Sequence, residues 1–297
     1  MLLLNNMKGV ILTNPYDNYW VQQHKVQRMQ QELSALGVDV SVVVNDNFVA
    51  ELTSGKIHSC LNADFVLFFD KDKYTGQMLE KCGVRLFNSA KATAICDDKM
   101  LTHITLANHG IPMPDTLPGA LCYNPNGQIS DRYLQQATNK LGLPLIVKQC
   151  YGSYGEQVYL VETEQQLREK LEQIKTKAYL LQHFEQQSRG VDMRVIVIGG
   201  KVACAMLRQN NLDFRSNVSL GGKATAVEAP EPIAEMCEKV ARVIGLDYCG
   251  IDVLLGDVFK ICEVNSNAMF EAMESVTGVN VAKLYAEHIV NCIKGEK

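Results

Sequence analysis

The chain has 297 residues, of which 47% are apolar and 21% are charged, so its composition is that of a globular protein rather than a disordered or fibrous one. Lysine and arginine number 29 against 33 acidic residues, which gives a formal net charge of −4. This balance excludes a strongly basic protein, and we expect no general binding of nucleic acid.

The first third of the sequence alternates strand and helix patterns. Runs typical of strands lie at 8–13, 38–44, 64–69 and 84–87, and helical patterns lie at 19–36 and 74–81. Gly37 and Gly83 follow these helices, where left-handed backbone ends a helix. The alternation predicts a parallel sheet covered by helices, and we assign residues 1–96 to one α/β domain. No G-x-G-x-x-G fingerprint of a dinucleotide site follows the first strand.

The middle third begins with a predicted helix over 97–109 and an extended segment at 111–114, where two prolines disfavour helix. A turn is expected at 124–127, and strands are expected at 144–149 and 178–184. Between these strands lie a glycine-containing loop at 151–155 and a helix that begins with a capping box, Thr163 and Gln166.

The last third contains two predicted hairpins. Gly199-Gly200 is a two-residue turn that places Arg194 opposite Ala205, and Gly256-Asp257 is a second turn that places Asp252 opposite Ile261. A long polar loop at 210–222 follows the first hairpin, and helices are expected from Pro232 to Gly245 and over 279–293.

One face of the second hairpin carries a set of oxygen donors. Because side chains alternate along a strand, Asp252, Glu263 and Asn265 fall on the same side, with Glu263 diagonal to Asp252. Two carboxylates and an amide suit Mg²⁺ or Mn²⁺. The alternative is a solvated acidic face without a metal.

Basic side chains form two further candidate groups. Lys148 ends an apolar strand directly before Gly152-Ser153-Tyr154-Gly155, an arrangement that can hold phosphate oxygens, although no Walker A sequence is present. Lys99 follows two aspartates at a helix start, where a solvated lysine is the simpler interpretation.

Arginines make up the other basic group. Arg194 and Arg208 lie on the first hairpin, and they share a face only if a bulge interrupts its register. Arg215, Ser216 and Asn217 follow in the polar loop. Clustered guanidinium groups bind carboxylate or phosphate, whereas the alternative is ordinary surface charge.

The ten cysteines lack the clustered spacing of a zinc site or a disulfide framework, so we expect reduced thiols. The segment before Lys8 has too short an apolar run for a secretory signal, and no run approaches the ~20 residues of a membrane span. We therefore expect a cytoplasmic protein without a membrane partner.

The order of these segments resembles the ATP-grasp fold and, within it, the RimK-type carboxylate–amine ligases. The matching segments are Asp98-Lys99, Lys148 with its glycine loop, 182–185, 190–194, 213–217, 250–252 and 263–267. The resemblance covers residues 94–293, and Asp-Phe-Arg-Ser-Asn and Glu-Val-Asn-Ser-Asn are its most specific parts. It implies an α/β (α+β) ATP-grasp fold with an N-terminal pre-ATP-grasp domain at 1–96, a small lobe at 97–184 and a C-terminal lobe at 185–297.

The resemblance also implies roles for individual residues. Contacts to ATP are expected from Lys99, Lys148, Gly152, Ser153, Gly155, His183, Phe184, Asp192, Arg215, Ser216 and Asn217. Catalytic contacts to the reacting groups are expected from Arg194, Arg208 and Arg215. Two ions of Mg²⁺ or Mn²⁺ are expected on Asp252, Glu263 and Asn265.

The activity implied by the resemblance is ATP-dependent ligation of a carboxylate to an amine through an acyl phosphate. The acceptor would be a peptide, a protein C-terminus or a small metabolite, and the donor an amino acid such as glutamate. Two alternatives stay open at this point: a non-catalytic ATP-binding protein, and an ATP-grasp enzyme that makes a different bond. The resemblance also leaves room for a homo-oligomer.

Overall fold

The structure is a computed structural model that describes residues 7–16 and 19–295, without the side chains of residues 19–21 and 219. The N-terminal segment judged too short for a secretory signal lies largely outside the described residues, as do Asp17 and Asn18. Among the described helices, none has the length and apolar character needed to cross a bilayer.

A parallel four-stranded sheet forms the N-terminal part of the chain, as predicted. The elements of this part, in chain order, are β1 (Lys8–Thr13), α1 (Tyr19–Ala35), β2 (Asp39–Val44), β3 (Ala50–Thr53), β4 (Lys56–Ser59), β5 (Phe65–Phe68), α2 (Lys73–Lys81) and β6 (Arg85–Phe87). The strand order is β2-β1-β5-β6, and every pairing in the sheet is parallel. The hairpin β3–β4 is a separate two-stranded sheet that the sequence did not predict. Gly37 and Gly83 have the positive φ expected where a helix ends.

An antiparallel sheet with the order β7-β10-β8-β9 follows. The elements of this part are α3 (Ala90–Asp97), α4 (Lys99–Leu106), β7 (Thr116–Pro118), α5 (Asp131–Leu141), β8 (Leu145–Gln149), β9 (Val158–Val161), α6 (Glu164–Ile174) and β10 (Tyr179–His183). The helix predicted over 97–109 is confirmed as α4, but it is shorter than predicted at both ends, and Asp97 belongs to the preceding helix α3. Asp98 is extended, and its carboxylate caps α4 by accepting from the backbone N–H groups of Met100 and Leu101, so two helices meet there.

A five-stranded antiparallel sheet with the order β13-β12-β11-β14-β15 makes up the last third. The elements are β11 (Val191–Ile198), β12 (Lys201–Gln209), β13 (Lys223–Val227), α7 (Glu231–Ile244), β14 (Tyr248–Leu254), β15 (Lys260–Asn265), α8 (Glu271–Thr277) and α9 (Val281–Lys294). Strand β13 and helix α8 were not predicted.

The predicted register of the first hairpin was wrong. Ile198 does pair with Lys201, but a bulge between Ile196 and Val197 places Arg194 opposite Met206 rather than Ala205. The same shift places Arg208 opposite Asp192, so Arg194 and Arg208 lie on one face.

The predicted register of the second hairpin was also wrong. Strand β14 ends at Leu254 and β15 begins at Lys260, so the connection is longer than two residues. Asp252 pairs with Glu263 while Val253 pairs with Ile261, which makes Cys262 the extra residue of a bulge. Glu263 is therefore directly opposite Asp252 instead of diagonal to it.

The hydrophobic core has separate parts. One cluster combines residues of the parallel sheet, such as Ile11 and Phe65, with Ile196 of β11 and Tyr285 of α9. Another lies around Leu134 and holds only residues of the β7–β10 sheet and its helices and loops. The parallel sheet is thus packed onto the five-stranded sheet, while the β7–β10 sheet has a core of its own.

Candidate functional site

A cavity of about 500 Å³ lies between the parallel sheet, the glycine loop and the five-stranded sheet, and a narrower one of about 100 Å³ adjoins it. Gly155, Arg208, Asn217 and Glu263 line both cavities, so the two form one continuous site. All the predicted site residues except Lys99 and Gly152 line one cavity or the other. Those two residues touch each other at the edge of the site.

The two predicted lysines approach the site from different elements. Lys148 lies on β8 and is 6% exposed, with its Nζ 3.5 Å from Cys262 Sγ. Lys99 is the first residue of α4, and its Nζ donates to Gly152 O at 2.8 Å and lies 3.3 Å from Glu263 Oε1. Both ammonium groups therefore lie beside β15, although they are far apart in sequence.

The glycine loop is held closely over the site. Gly152 and Gly155 have φ values of 139° and 75°, which favour glycine. Arg215 Nη1 donates to Gly155 O at 2.5 Å, and a Cβ at position 155 would lie 3.2 Å from Asn217 Oδ1. The loop and the segment 215–217 therefore meet over the cavity, and a side chain at position 155 would crowd Asn217 and Arg215.

Buried ion pairs connect the arginines to two aspartates. Arg208, which is 4% exposed, donates to both oxygens of Asp192 at 2.7 and 2.6 Å, and its Nη2 lies 3.0 Å from Asp252. Arg194 donates to both oxygens of Asp252, with 2.7 Å from Nη2 to Oδ2. Burial alone would raise the pKa of Asp252, but Arg194 and Arg208 outweigh it and lower the pKa to about 2. Asp252 is therefore a carboxylate at neutral pH.

The predicted oxygen ligands come together at the end of β15. Asp252 and Glu263 are cross-strand partners, and Asn265 is opposite Gly250 on the same ladder. Within the described part of the chain, the buried Nδ2 of Asn265 has no hydrogen-bond partner. Both arginines approach Asp252 Oδ2, whereas Oδ1 accepts from Arg194 and has a second lone pair that faces no other described partner. Two carboxylates and an amide in a partly buried cluster fit a hard divalent cation.

The narrower cavity has an apolar and amide-lined wall. His183 and Phe184 line it at the end of β10, and Phe184 packs edge-on against Phe214 with the ring centroids 6.4 Å apart. Gln182 lies in the same wall, and its Nε2 is 2.9 Å from Thr116 Oγ1 and 3.1 Å from His103 Nε2. Burial, helped by the charge of Lys148, lowers the pKa of His103 to about 4, so the imidazole behind this wall is neutral.

Sequence reasoning missed several residues of this wall. Those missed include Ile146, Val158, Ser188, Leu254 and Cys262, whereas Gln182 and Glu185 belong to the matched segment 182–185 but had no predicted role. Ile146 could have been found, because it precedes Lys148 by two residues on a strand and so shares its face. Cys262 could not, because only the bulge in β15 brings it there.

The N-terminal sheet supplies the opposite wall of the larger cavity. Asn14 and Tyr16 of the polar turn after β1 line it, as do Phe69, Asp70 and Lys71 after β5. The segment after β5 was also missed. Its position at the carboxyl end of a parallel strand, where ligands bind in open α/β sheets, is a signal that could have found it.

Comparison with known proteins gives a consistent set of similarities. Residues 96–289 match the RimK-like ATP-grasp domain family. The sequence is 33% identical over 306 residues to a protein named probable alpha-L-glutamate ligase from Psychromonas ingrahamii, covering 98% of this chain and 97% of that one. The ATP-grasp ligase PsnB, solved with a minimal precursor variant, Mg and ADP, superposes with a TM-score of 0.70 at 19% identity, covering 97% of this chain and 99% of that one.

A further relative is longer than this chain. Beta-citrylglutamate synthase B from Danio rerio is 33% identical over 228 residues, which is 75% of this chain but 55% of the relative. The chain therefore spans only about half of that relative's length, whereas it spans nearly the whole of the Psychromonas protein.

Proposed function

The chain belongs to the RimK-like ATP-grasp family of ATP-dependent ligases, and we propose that it joins a carboxylate to an amine through an acyl phosphate. The observation that carries this proposal is that Lys148, three arginines and three oxygen ligands line one continuous cavity, with Lys99 at its edge beside Glu263. Such an arrangement suits a reaction between an anionic nucleophile and a polyanionic substrate, because charge must be neutralised on both.

The narrower cavity is the proposed nucleotide site. Backbone groups at His183 and Phe184 would hold the adenine, and Lys148 and Lys99 would contact the phosphates. Gly152, Ser153 and Gly155 would cover the phosphates, with Ser216 and Asn217 on the opposite side. Asp192 would act through Arg208, because both of its oxygens accept from that guanidinium. The hydrogen bond between Arg215 and Gly155 supports closure of the loop over a bound nucleotide.

Asp252, Glu263 and Asn265 are the proposed metal ligands. Bound Mg²⁺ or Mn²⁺ would neutralise charge on the phosphates, and the resemblance favours two ions. Lys99 Nζ lies 3.3 Å from Glu263, so this lysine is placed to hold a phosphate beside the metal ligands. Arg194 and Arg208 keep Asp252 ionised, and the bidentate pair with Arg194 fixes the orientation of this carboxylate.

The proposed reaction has two steps. An oxygen of the substrate carboxylate attacks the γ-phosphorus of ATP, the bond to the β-γ bridging oxygen breaks, and ADP leaves. The amine nitrogen then attacks the acyl carbon, phosphate leaves with the C–O bond electrons, and the amine loses a proton. Arg194, Arg208 and Arg215 would hold the carboxylate and the transferred phosphoryl group in line, which is positioning together with electrostatic stabilisation. The covering loop would protect the acyl phosphate from water.

The amine donor is proposed to be an amino acid such as glutamate, in line with the names of the relatives. We also propose the division into a domain at 1–96 and lobes at 97–184 and 185–297. A cytoplasmic location is proposed because all ten cysteines are unpaired.

The test is a substrate screen with the purified protein, ATP and Mg²⁺. Mixtures of carboxylates and amino acids are scored for ADP release and for a product whose mass is the sum of the two substrates less one water. ADP release together with such a product supports the proposal. ATP binding without ADP release in any mixture would favour a binding protein, and ADP release with a different product would favour another bond.

A further inference from the structure

The N-terminal wall of the larger cavity lies where the strand order of the parallel sheet reverses direction. From β1 the chain crosses to β2 on one side, and the later strand β5 pairs with β1 on the other side. Such a reversal opens a crevice between the carboxyl ends of the two strands, where α/β sheets bind ligands. Tyr16 after β1 and Lys71 after β5 lie at this crevice, and both line the cavity that also contains Arg194.

The carboxylates at the crevice already accept hydrogen bonds from other groups of the protein. Asp70 has no exposed surface, and its oxygens accept from Asn14 Nδ2 at 3.0 Å, Asn45 Nδ2 at 2.8 Å and the backbone of Asp72 at 3.0 Å. Asp72 caps α2, accepting from Tyr74 N at 2.9 Å and Thr75 Oγ1 at 2.7 Å. Neither carboxylate is therefore well placed to hold a cationic ligand.

Lys71 differs from the arginines that line the same cavity. Arg194 and Arg208 are held in buried pairs with aspartates, whereas the side chain of Lys71 is 40% exposed and its Nζ is 3.2 Å from Asp97. Such a partly exposed pair is weak, and an ammonium group has three N–H donors. A ligand anion can therefore bind Lys71 without breaking a buried ion pair.

We propose that Lys71 and the crevice between β1 and β5 form a second anion subsite. It selects acceptors that carry another anionic group in addition to the carboxylate activated beside Arg194. The inference rests on the proposed ligase function, because that function places the reacting carboxylate at the arginine end of the cavity.

The test compares dicarboxylates with their own monoamides, which keep the size and one carboxylate but lose the second charge. Succinate, glutarate and N-acetylglutamate are each paired with the monoamide, and binding to the protein with ADP and Mg²⁺ is measured by calorimetry. Lys71→Gln removes the charge and Lys71→Arg keeps it, while Lys73→Gln is the matched control outside the cavity lining. ADP release is measured with the same compounds and an amino-acid donor.

We expect at least one dicarboxylate to bind the wild-type protein about tenfold more tightly than its monoamide, the size of one charge-assisted hydrogen bond. Lys71→Gln should abolish that preference, and Lys71→Arg and Lys73→Gln should keep it. Equal binding of each pair to the wild type, or an unchanged preference in Lys71→Gln, overturns the subsite. If the dicarboxylates bind selectively but no ADP is released, the ligase function is contradicted and the subsite is not. If ADP is released at equal rates with both members of each pair, only the subsite is contradicted.

Discussion

At the scale of single residues, we expect the charged groups of the cavity to determine the rate of ATP turnover. Lys148→Ala and Glu263→Gln should each lower the turnover of ATP on the order of a hundredfold, because each removes charge stabilisation of the phosphoryl group or its counter-ion. The measurement is ADP release at saturating substrates. Lys140→Ala on α5 and Glu271→Gln on α8 are exposed controls that should keep wild-type turnover. Unchanged turnover in both site variants would contradict the assignment.

The buried imidazole of His103 gives a prediction on pH dependence. Its pKa is lowered from 6.5 to about 4 by burial and by Lys148, so between these values the unfolded state binds a proton that the folded state does not. The free energy of unfolding should therefore fall as the pH is lowered from 6.5 to 4, by about 3 kcal/mol from this group.

The measurement is urea unfolding of the wild type and of His103→Gln across that range. In His103→Gln the free energy of unfolding should depend much less on pH, because the glutamine side chain does not titrate. His109→Gln, at an exposed position, should keep the pH dependence of the wild type. Parallel pH profiles of the wild type and His103→Gln would contradict the prediction.

At the scale of elements, we expect the conformation of the glycine loop to affect the affinity for the nucleotide. Gly155→Ala strains the backbone at a φ of 75° and brings a Cβ within 3.3 Å of Arg215. We expect it to raise KM for ATP about tenfold, equivalent to 1.4 kcal/mol, because the loop can no longer lie against the segment 215–217.

Gly142→Ala is a matched control for this change. Gly142 has the same φ of 75°, but a Cβ there meets no atom within 4 Å. Both variants should lose about 1–3 kcal/mol of stability through strain, and only Gly155→Ala should change KM for ATP. An equal change of KM in both would assign the effect to stability rather than to the loop.

The elements also show what the sequence could predict. Alternation located most strands of both hairpins, and the face shared by Asp252, Glu263 and Asn265 was predicted from a period of two. The bulges were not predictable, because an extra residue such as Cys262 is tolerated only through packing that the local sequence does not encode. Short edge elements such as β13 were missed for a similar reason, since tertiary pairing rather than local propensity stabilises them.

At the scale of the whole molecule, the two separate apolar clusters predict that the parts of the protein they stabilise unfold in separate steps. Because β1 and α9 share one apolar cluster and α5 and α6 belong to another, the two parts should open independently. Native-state hydrogen exchange should show α5 and α6 opening at lower denaturant than β1 and α9, which should open together. Exchange of all four elements through one global opening would contradict this expectation.

Most contacts between distant segments of the chain could not be predicted from the sequence pattern. The parallel sheet and the family resemblance were recognisable, but the contact of Lys25 with Asn267, which joins α1 to the end of β15, depends on residues 242 positions apart. The same holds for Lys71, whose place in the cavity follows from how the parallel sheet packs on the five-stranded one.

The most direct test of the central claim follows the oxygen of the acceptor. With a carboxylate substrate labelled with ¹⁸O, attack on the γ-phosphorus predicts that one labelled oxygen appears in inorganic phosphate for each amide formed. The measurement is mass spectrometry of the phosphate after a screened reaction. Label in AMP, or amide formation with unlabelled phosphate, would contradict an acyl-phosphate ligase.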